Sequence, residues 1–147
     1  MGAALNYFAQ GDLEGAKARL GDWPAELRTR VQREPGNFRQ LVFLAVMEMM
    51  LGNKEEARQA IDRAVALMPP SRDAVDGPLY AFYRALIYDG LGEKELALAE
   101  YTRLLSVPMA GGNLKVHEMR NNTLSKLLDD PRFQALLADP KNNAPLF

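Results

Sequence analysis

The chain has few side chains that could carry chemistry, and they are scattered along it. His117 is the single histidine among 147 residues, and there is no cysteine. Protein zinc sites use three or four histidine, cysteine or carboxylate ligands, so one histidine without a thiolate does not build one. We expect His117 to be a surface or half-buried histidine, and we expect no metal.

One pair of carboxylates is a candidate for acid–base catalysis. Asp129 and Asp130 directly precede Pro131. Aspartate followed by proline is typical of a helix start, where the carboxylate accepts backbone N–H bonds at the positive end of the helix dipole. The sequence therefore predicts a helix cap at this position.

The serines and the paired glycines do not form a recognisable catalytic motif. Ser71, Ser106 and Ser125 lack the G-x-S-x-G setting of a hydrolase nucleophile, and only one distant histidine is present. Gly111-Gly112 is not followed by the Gly-Lys-Ser/Thr of a phosphate-binding loop, so it predicts a turn. We expect a noncatalytic protein that binds no cofactor.

The charge balance favours no charged partner. Lys and Arg total 18 against 19 Asp and Glu, a net charge of -1, so we expect no nucleic-acid partner. A small basic cluster, Arg28, Arg30 and Arg33, is mixed with Glu26 and Glu34 and predicts a solvated helix face. No apolar run reaches the roughly 20 residues that span a bilayer. We expect a soluble protein without membrane insertion, cytoplasmic rather than periplasmic, although the lack of cysteine leaves the compartment open.

The elements that would position these residues are helices. LGNKEEARQA at positions 51–60 is echoed by LGEKELALAE at 91–100, 40 positions later. Apolar residues recur every three or four positions over 54–68 and 93–107, and each of these segments follows another helix-length segment and a glycine, Gly52 or Gly92. Further helices are expected over 3–10, 13–20, 24–33, 113–120 and 132–138. No segment alternates with period two, which predicts an all-α fold.

The unit of helix, glycine turn and helix resembles the tetratricopeptide repeat. The second unit carries Leu41, Leu44, Ala45, Glu48, Gly52, Ala57, Ile61 and Pro69, and the third carries Ala81, Arg84, Ala85, Tyr88, Gly92, Ala97, Tyr101 and Pro108. Pro35 and Pro69 are 34 positions apart, the repeat period, and the segment 70–77 lengthens the next interval. Small residues are expected where paired helices approach closely: Ala45, Ala57, Ala64, Ala85 and Ala97.

The resemblance implies a domain of antiparallel helix hairpins stacked as a short right-handed superhelix. It would cover 1–138, with a degenerate repeat at about 3–34, repeats at 38–69 and 78–108, a C-terminal cap at 113–138 and an irregular tail at 139–147. Three motifs, SRDAVDGP at 71–78, LLSVP at 104–108 and LLDDPRFQALL at 127–137, make the chain similar to one bacterial group. That group comprises C-terminal tetratricopeptide segments of signalling proteins with upstream cyclase, kinase, winged-helix or TolB-like modules. A noncatalytic scaffold or regulatory segment is implied, and the helical start at Ala3 suggests a piece of a longer protein.

The resemblance also implies a concave groove lined by the first helix of each repeat. The residues expected to face it are apolar except for one: Arg39, Val42, Val46, Met49, Met50, Leu79, Phe82 and Leu86. The clamp that holds the carboxylates of chaperone tails needs Lys, Asn and Arg where Val42, Val46 and Leu79 stand, so no such clamp is expected. The main hypothesis is that the groove binds a protein or peptide, or another domain of the parent chain.

Three alternatives remain open at this point. The apolar stripe could be ordinary core, covered by the N-terminal helices or by the C-terminal helix at 131–138. The repeats could instead self-associate and space an upstream signalling domain. A small-molecule sensor with its pocket beside the C-terminal cap is the weakest alternative.

Overall fold

Helices occupy the segments in which apolar residues recur every three or four positions. The computed structural model describes residues 1–109, 112–113, 116–120, 122 and 124–143. The chain divides into two compact units, Met1–Leu67 and Met68–Phe147. Helices of the first unit are α1 (Gly2–Ala9), α2 (Leu13–Leu20), α3 (Trp23–Arg33), α4 (Phe38–Met50) and α5 (Lys54–Leu67). The predicted all-α class is confirmed, whereas the predicted single domain and superhelix stay predictions.

The described part of the second unit contains helices and a minimal strand pair. Its elements are α6 (Gly77–Leu91), α7 (Lys94–Leu104), β1 (Pro108–Met109), β2 (Gly112–Asn113), α8 (Val116–Arg120), α9 (Pro131–Ala138) and α10 (Pro140–Asn143). The strands pair antiparallel, with Pro108 opposite Asn113. Two-residue strands are too short to show a period-two pattern, which is why the sequence did not predict them.

Two boundaries near the C-terminus differ from the expectation. The helix expected over 113–120 begins only at Val116, because Asn113 belongs to β2. The tail expected to be irregular contains α10, whose start repeats the aspartate–proline signal: the Asp139 carboxylate accepts the Lys141 N–H at 2.9 Å. Residues 144–147, like Gly111 of the predicted turn, lie outside the described residues.

The described helices include three hairpins that turn at glycines with left-handed backbone. Gly11, Gly52 and Gly92 have φ of 78°, 79° and 84°. After each, the next N–H donates to a carbonyl five residues back, as in Asn53 N to Glu48 O at 2.9 Å and Glu93 N to Tyr88 O at 2.8 Å. This is the Schellman closure, in which glycine adopts φ > 0 without a Cβ penalty. The 40-residue echo therefore marks equivalent helix ends.

The helices of each hairpin pack at alanines. Contacts join α1 with α2, α4 with α5, and α6 with α7. The alanines expected at close approaches are all fully buried, each with 0% exposure: Ala45, Ala57, Ala64, Ala85 and Ala97. A larger side chain at these positions would have to displace its neighbours, so their burial agrees with the predicted packing role.

The inserted segment before α6 folds into a compact loop. The Asp73 carboxylate accepts the N–H groups of Val75 and Asp76 at 2.9 and 2.8 Å, and these bonds lower the pKa of Asp73. The first residue of α6, Gly77, lies against the backbone of Pro70, which would be only 2.6 Å from an added Cβ. The insertion thus fixes where α6 begins.

The described helices share one further property. Of those within the described ranges, not one combines the length and the apolarity required to cross a membrane.

Gly77→Ala is expected to destabilise the protein. The added methyl meets backbone that cannot move aside, and overpacking of this kind costs about 1–3 kcal/mol. Urea unfolding followed by circular dichroism measures the loss. Gly36→Ala is the control, since its Cβ would meet nothing within 4 Å. Equal unfolding midpoints for the two variants would contradict the close approach.

Candidate functional site

The predicted partner-binding residues of α4 are unequally exposed. Arg39 is exposed and Val46 is half-buried, whereas Val42, Met49 and Met50 are buried. The last turn of α4, Met47 to Met50, is buried on all sides, and both α1 and α2 contact α4. The surface that α4 offers to a partner therefore ends at Val46, before the buried last turn. The partner-binding role of these five residues stays a prediction.

The predicted residues of α6 form one half-buried stripe. Leu79, Phe82 and Leu86 recur at three- and four-residue steps, and all three have intermediate exposure. The Phe82 ring lies 6.3 Å from that of Tyr83 and 6.5 Å from that of Tyr101, measured between centroids. Aromatic neighbours thus hold Phe82 in place while part of its surface stays open to solvent.

Two aromatic residues on these faces were missed from the sequence. Phe43 of α4 is 53% exposed, and Tyr83 of α6 is half-buried. The 40-residue offset that relates Arg39 to Leu79 also relates Phe43 to Tyr83. Phe43 lies four positions after Arg39 and three before Val46, so helical spacing would have found it, and the offset then gives Tyr83.

The first unit contains a buried carboxylate, Glu48, in the last turn of α4. Glu48 is only 1% exposed. It accepts hydrogen bonds from Arg28 of α3, at 2.6 Å from Nε and 2.9 Å from Nη2, and from Asn53 Nδ2 at 2.7 Å. Burial raises the pKa of Glu48, but the hydrogen bonds from Arg28 and Asn53 and the guanidinium charge together lower this pKa by more. The carboxylate therefore ties both α3 and the Gly52 turn to α4.

The second unit contains a buried carboxylate, Asp89, at the corresponding end of α6. Asp89 is 1% exposed and accepts the backbone N–H of Lys126 at 2.8 Å and the hydroxyl of Tyr101 at 3.2 Å. Ser125 and the N–H of Leu127 also bond to it. Burial raises the pKa of Asp89 by more than these bonds lower it, and burial beside Asp89 raises the pKa of Tyr101. Asp89 thus holds the segment before α9 against α6.

The predicted cap of α9 is confirmed for Asp130, the second aspartate of the pair. Its Oδ1 accepts the Arg132 N–H at 2.9 Å, and its Oδ2 lies 2.9 Å from Arg132 Nη2. The bonds from Arg132 lower the pKa of Asp130 to about 2. Arg132 also bonds Glu95 of α7, and the Phe133 ring lies 5.6 Å from the Tyr101 ring. The cap residue and the start of α9 therefore anchor this helix on α7.

Among the described side chains, two of the candidate serines make local hydrogen bonds to the backbone. The Ser106 hydroxyl donates to the Arg103 carbonyl at 3.0 Å, and the Ser125 hydroxyl accepts the Leu127 N–H at 3.1 Å. His117 lies in α8, but its side chain is outside the described part. Within the ranges that the structure describes, no group of three or more His, Cys, Asp or Glu could hold a metal ion.

Sequence reasoning used Glu48 only as a repeat position and did not single out Asp89. A usable signal was present, because each is a lone acidic residue in an otherwise apolar stretch, VMEMM and IYDGL. A carboxylate near a helix C-terminus also opposes the helix dipole, so it needs dedicated hydrogen-bond donors. Which residues supply those donors depends on the tertiary structure.

Arg28→Met should destabilise the first unit by about 3 kcal/mol, because it leaves the Glu48 carboxylate buried without its cation. The double variant Arg28→Met with Glu48→Met should lose less, since both charges leave together. Urea unfolding followed by the fluorescence of Trp23, the only tryptophan, measures both.

Arg30→Met is the matched control for Arg28→Met. Arg30 pairs with Glu26 at 3.9 Å on the surface, so its loss should change stability by less than about 0.5 kcal/mol. Equal losses for the single and double variants at Arg28 and Glu48 would contradict the buried-charge account.

The free energy of unfolding should depend on the protonation of Asp89. Because the pKa of Asp89 is raised in the folded chain, the folded state binds more protons than the unfolded state between the ordinary value of 3.8 and the raised value. The stability of the wild type relative to Asp89→Asn should therefore fall as the pH rises through this window. Urea titrations of both proteins between about pH 3.5 and 7.5 measure the difference.

Asp73→Asn provides a control of opposite sign. The pKa of Asp73 is lowered, so the stability of the wild type relative to this variant should fall as the pH drops below the ordinary value. If the difference in unfolding free energy between wild type and Asp89→Asn did not change with pH, the proposed cost of burying the charged Asp89 would be contradicted.

Comparison with known proteins assigns no family to this arrangement. No protein-family model, curated protein or solved structure matches the chain. The resemblance to tetratricopeptide segments therefore rests on the residues and motifs of the sequence and stays a prediction.

Proposed function

We propose that this chain is a noncatalytic tetratricopeptide-type module that binds a protein segment, or another domain of a longer signalling protein. The proposed contact surfaces are the partly exposed faces of α4 and α6. The observation that carries the proposal is their repetition: positions 40 residues apart leave large apolar side chains open to solvent in both helices.

The face of α4 is small but aromatic. Phe43 is more than half exposed, with Arg39 and Val46 within one turn of it on the same side of the helix. A single exposed apolar residue is common on protein surfaces and carries no functional weight. Aromatic residues and arginine, however, are both enriched at protein interfaces, and here they lie side by side.

The face of α6 provides the second observation. Leu79, Phe82, Tyr83 and Leu86 cover two helical turns and are all half-buried. Tyrosine and phenylalanine contribute a large contact area at a small cost in side-chain entropy, and they are frequent among residues that dominate binding energy. Equivalent positions of α4 and α6 both carry partly exposed apolar side chains, which favours a shared role for the two faces.

The noncatalytic part of the proposal is supported by how the described acidic groups are used. Glu48, Asp89 and Asp130 each accept hydrogen bonds from groups that hold helices or turns together. A general acid or base has to reach a substrate, and these carboxylates are buried and engaged in the fold. Their arrangement supports a structural role.

The test compares Phe43→Glu and Phe82→Glu with Leu96→Glu, an exposed leucine on α7 that serves as the control. A partner recovered by the wild type should be retained by Leu96→Glu and weakened at least tenfold by the two aromatic variants, as expected for residues that dominate an interface. The measurement is quantitative pull-down followed by titration of the recovered partner. Identical affinities for all variants would contradict the proposal that these faces bind the partner.

Light scattering of the same proteins separates partner binding from self-association. If the wild type is a dimer and the Phe43→Glu variant is a folded monomer, the face joins two copies of the chain and the partner-binding proposal is wrong. A monomeric wild type that loses its partner on substitution would support the proposal.

A further inference from the structure

A groove in the first unit lies between α3 and α5, with α4 as its floor. Its volume is about 300 Å³, at the lower end of the range for ligand-binding clefts. Leu41 and Leu44 of α4 line the floor, and Val31 of α3 and Ala60 of α5 line the walls. The centre of the groove is therefore apolar.

This groove lies on the opposite side of α4 from the surface proposed above. Leu41, Leu44 and Glu48 follow one another at three- and four-residue steps. A rotation of about 100° per residue places them opposite the stripe that contains Phe43 and Val46. The groove is therefore a separate surface, and an inference about it does not depend on the proposed function.

The two walls of the groove run in the same direction, so its ends can be identified. Arg28 of α3 bonds to the C-terminal turn of α4, and Glu56 lies in the first turn of α5, just after Gly52. Arg63, two turns further along α5, donates from Nη2 to the Pro35 carbonyl at 2.7 Å, beside the start of α4. The groove thus runs from the Gly52 turn to Pro35.

The two ends carry opposite charge. The Gly52 end is lined by Glu48, Glu56 and Arg28, which together leave one negative charge. The hydrogen bond to Glu48 is the main cause that raises the pKa of Arg28, and the charge of Glu56 adds to it. The Pro35 end is lined by Arg63. Glu34, next to Pro35 in the sequence, is not among the lining residues, and its carboxylate accepts hydrogen bonds from Asn37 and Gln40. The residues that line the groove are therefore negative, apolar and positive in turn along its length.

We propose that this groove binds an amphipathic helix of a partner protein that carries a basic and an acidic residue on either side of an apolar one. The basic side chain lies beside Glu56, the apolar side chain enters between Val31 and Ala60, and the acidic side chain lies beside Arg63. Opposite charges on the two surfaces make this arrangement favourable and disfavour a partner with two like charges.

The spacing of the groove matches a helix. Glu56 and Arg63 are separated by seven positions on α5, which corresponds to about 10 Å along the axis. Residues i and i+7 of a partner helix have the same separation and share a face, with i+3 and i+4 between them for the apolar anchor. Ridges of side chains on α3 and α5 also provide the grooves into which another helix packs.

The test uses three designed helical peptides that differ only at positions i and i+7: one basic and one acidic residue, two acidic residues, or two basic residues. Binding to the full chain is measured by fluorescence anisotropy. The wild type should prefer the mixed peptide by about fivefold. Glu56→Lys should shift the preference to the two-acid peptide, and Arg63→Glu should shift it to the two-base peptide. The expected preferences are the same whichever way the bound helix runs, because the mixed peptide can place its basic residue beside Glu56 in either direction.

Glu55→Lys and Arg58→Glu are the matched controls, because they make the same charge changes on α5 outside the residues that line the groove. They should keep the wild-type ranking of the peptides. The side-chain amide resonance of Gln59, which lines the groove, should shift in NMR spectra when the mixed peptide binds.

Three results would overturn the proposal. One is the absence of binding, or of a Gln59 shift, with the mixed peptide at millimolar concentration. Another is that the control variants change the order of the peptide affinities as much as the groove variants do, which would mean that the net charge of the protein, and not this groove, decides the preference. The third is self-association of the wild type that Glu56→Lys abolishes, which would make the occupant a second copy of the chain.

Discussion

The close approach of two helices within each hairpin is the constraint on which the other features depend. The alanines expected at these contacts are fully buried, and a left-handed glycine closes each turn with the same pair of hydrogen bonds. This geometry fixes the rotation of the first helix of each hairpin about its axis. It therefore decides which side chains of α4 and α6 are buried, which are half-exposed, and where the acidic residue of the last turn points.

The two buried carboxylates are compensated in different ways for the cost of a negative charge at the end of a helix. Glu48 and Asp89 both sit near a helix C-terminus, where the dipole disfavours negative charge. Glu48 is compensated by the guanidinium of Arg28, and its pKa is lowered, whereas Asp89 has neutral donors, and its pKa is raised. We infer that both groups contribute more to selecting the correct neighbours than to net stability, since apolar residues of similar size would avoid the cost of burying a charge.

Much of the helical organisation could be predicted from the sequence, because it follows from local signals. The bounds of α2 were predicted to the residue, and Gly52, Gly92 and the aspartate–proline pair at Asp130 marked turns and a cap correctly. The two-residue strands were missed because a pairing that short leaves no periodic trace. The bonds of Glu48 and Asp89 and the groove between α3 and α5 were missed for another reason. They include contacts between residues 20 and 37 positions apart, which only the packing of the helices brings together.

The attachment of Asp89 to the segment before α9 has a consequence for how the second unit folds. The contacts between α6 and α7 join neighbouring elements across one short turn, so little chain entropy is lost when they form. The hydrogen bonds from the Lys126 N–H to Asp89 and from Arg132 to Glu95 each close a separation of 37 residues. Contacts of this range form late, after local helix pairs have provided a surface to receive them. The C-terminal segment is therefore the part of this unit expected to dock last during folding and to detach first in native-state fluctuations.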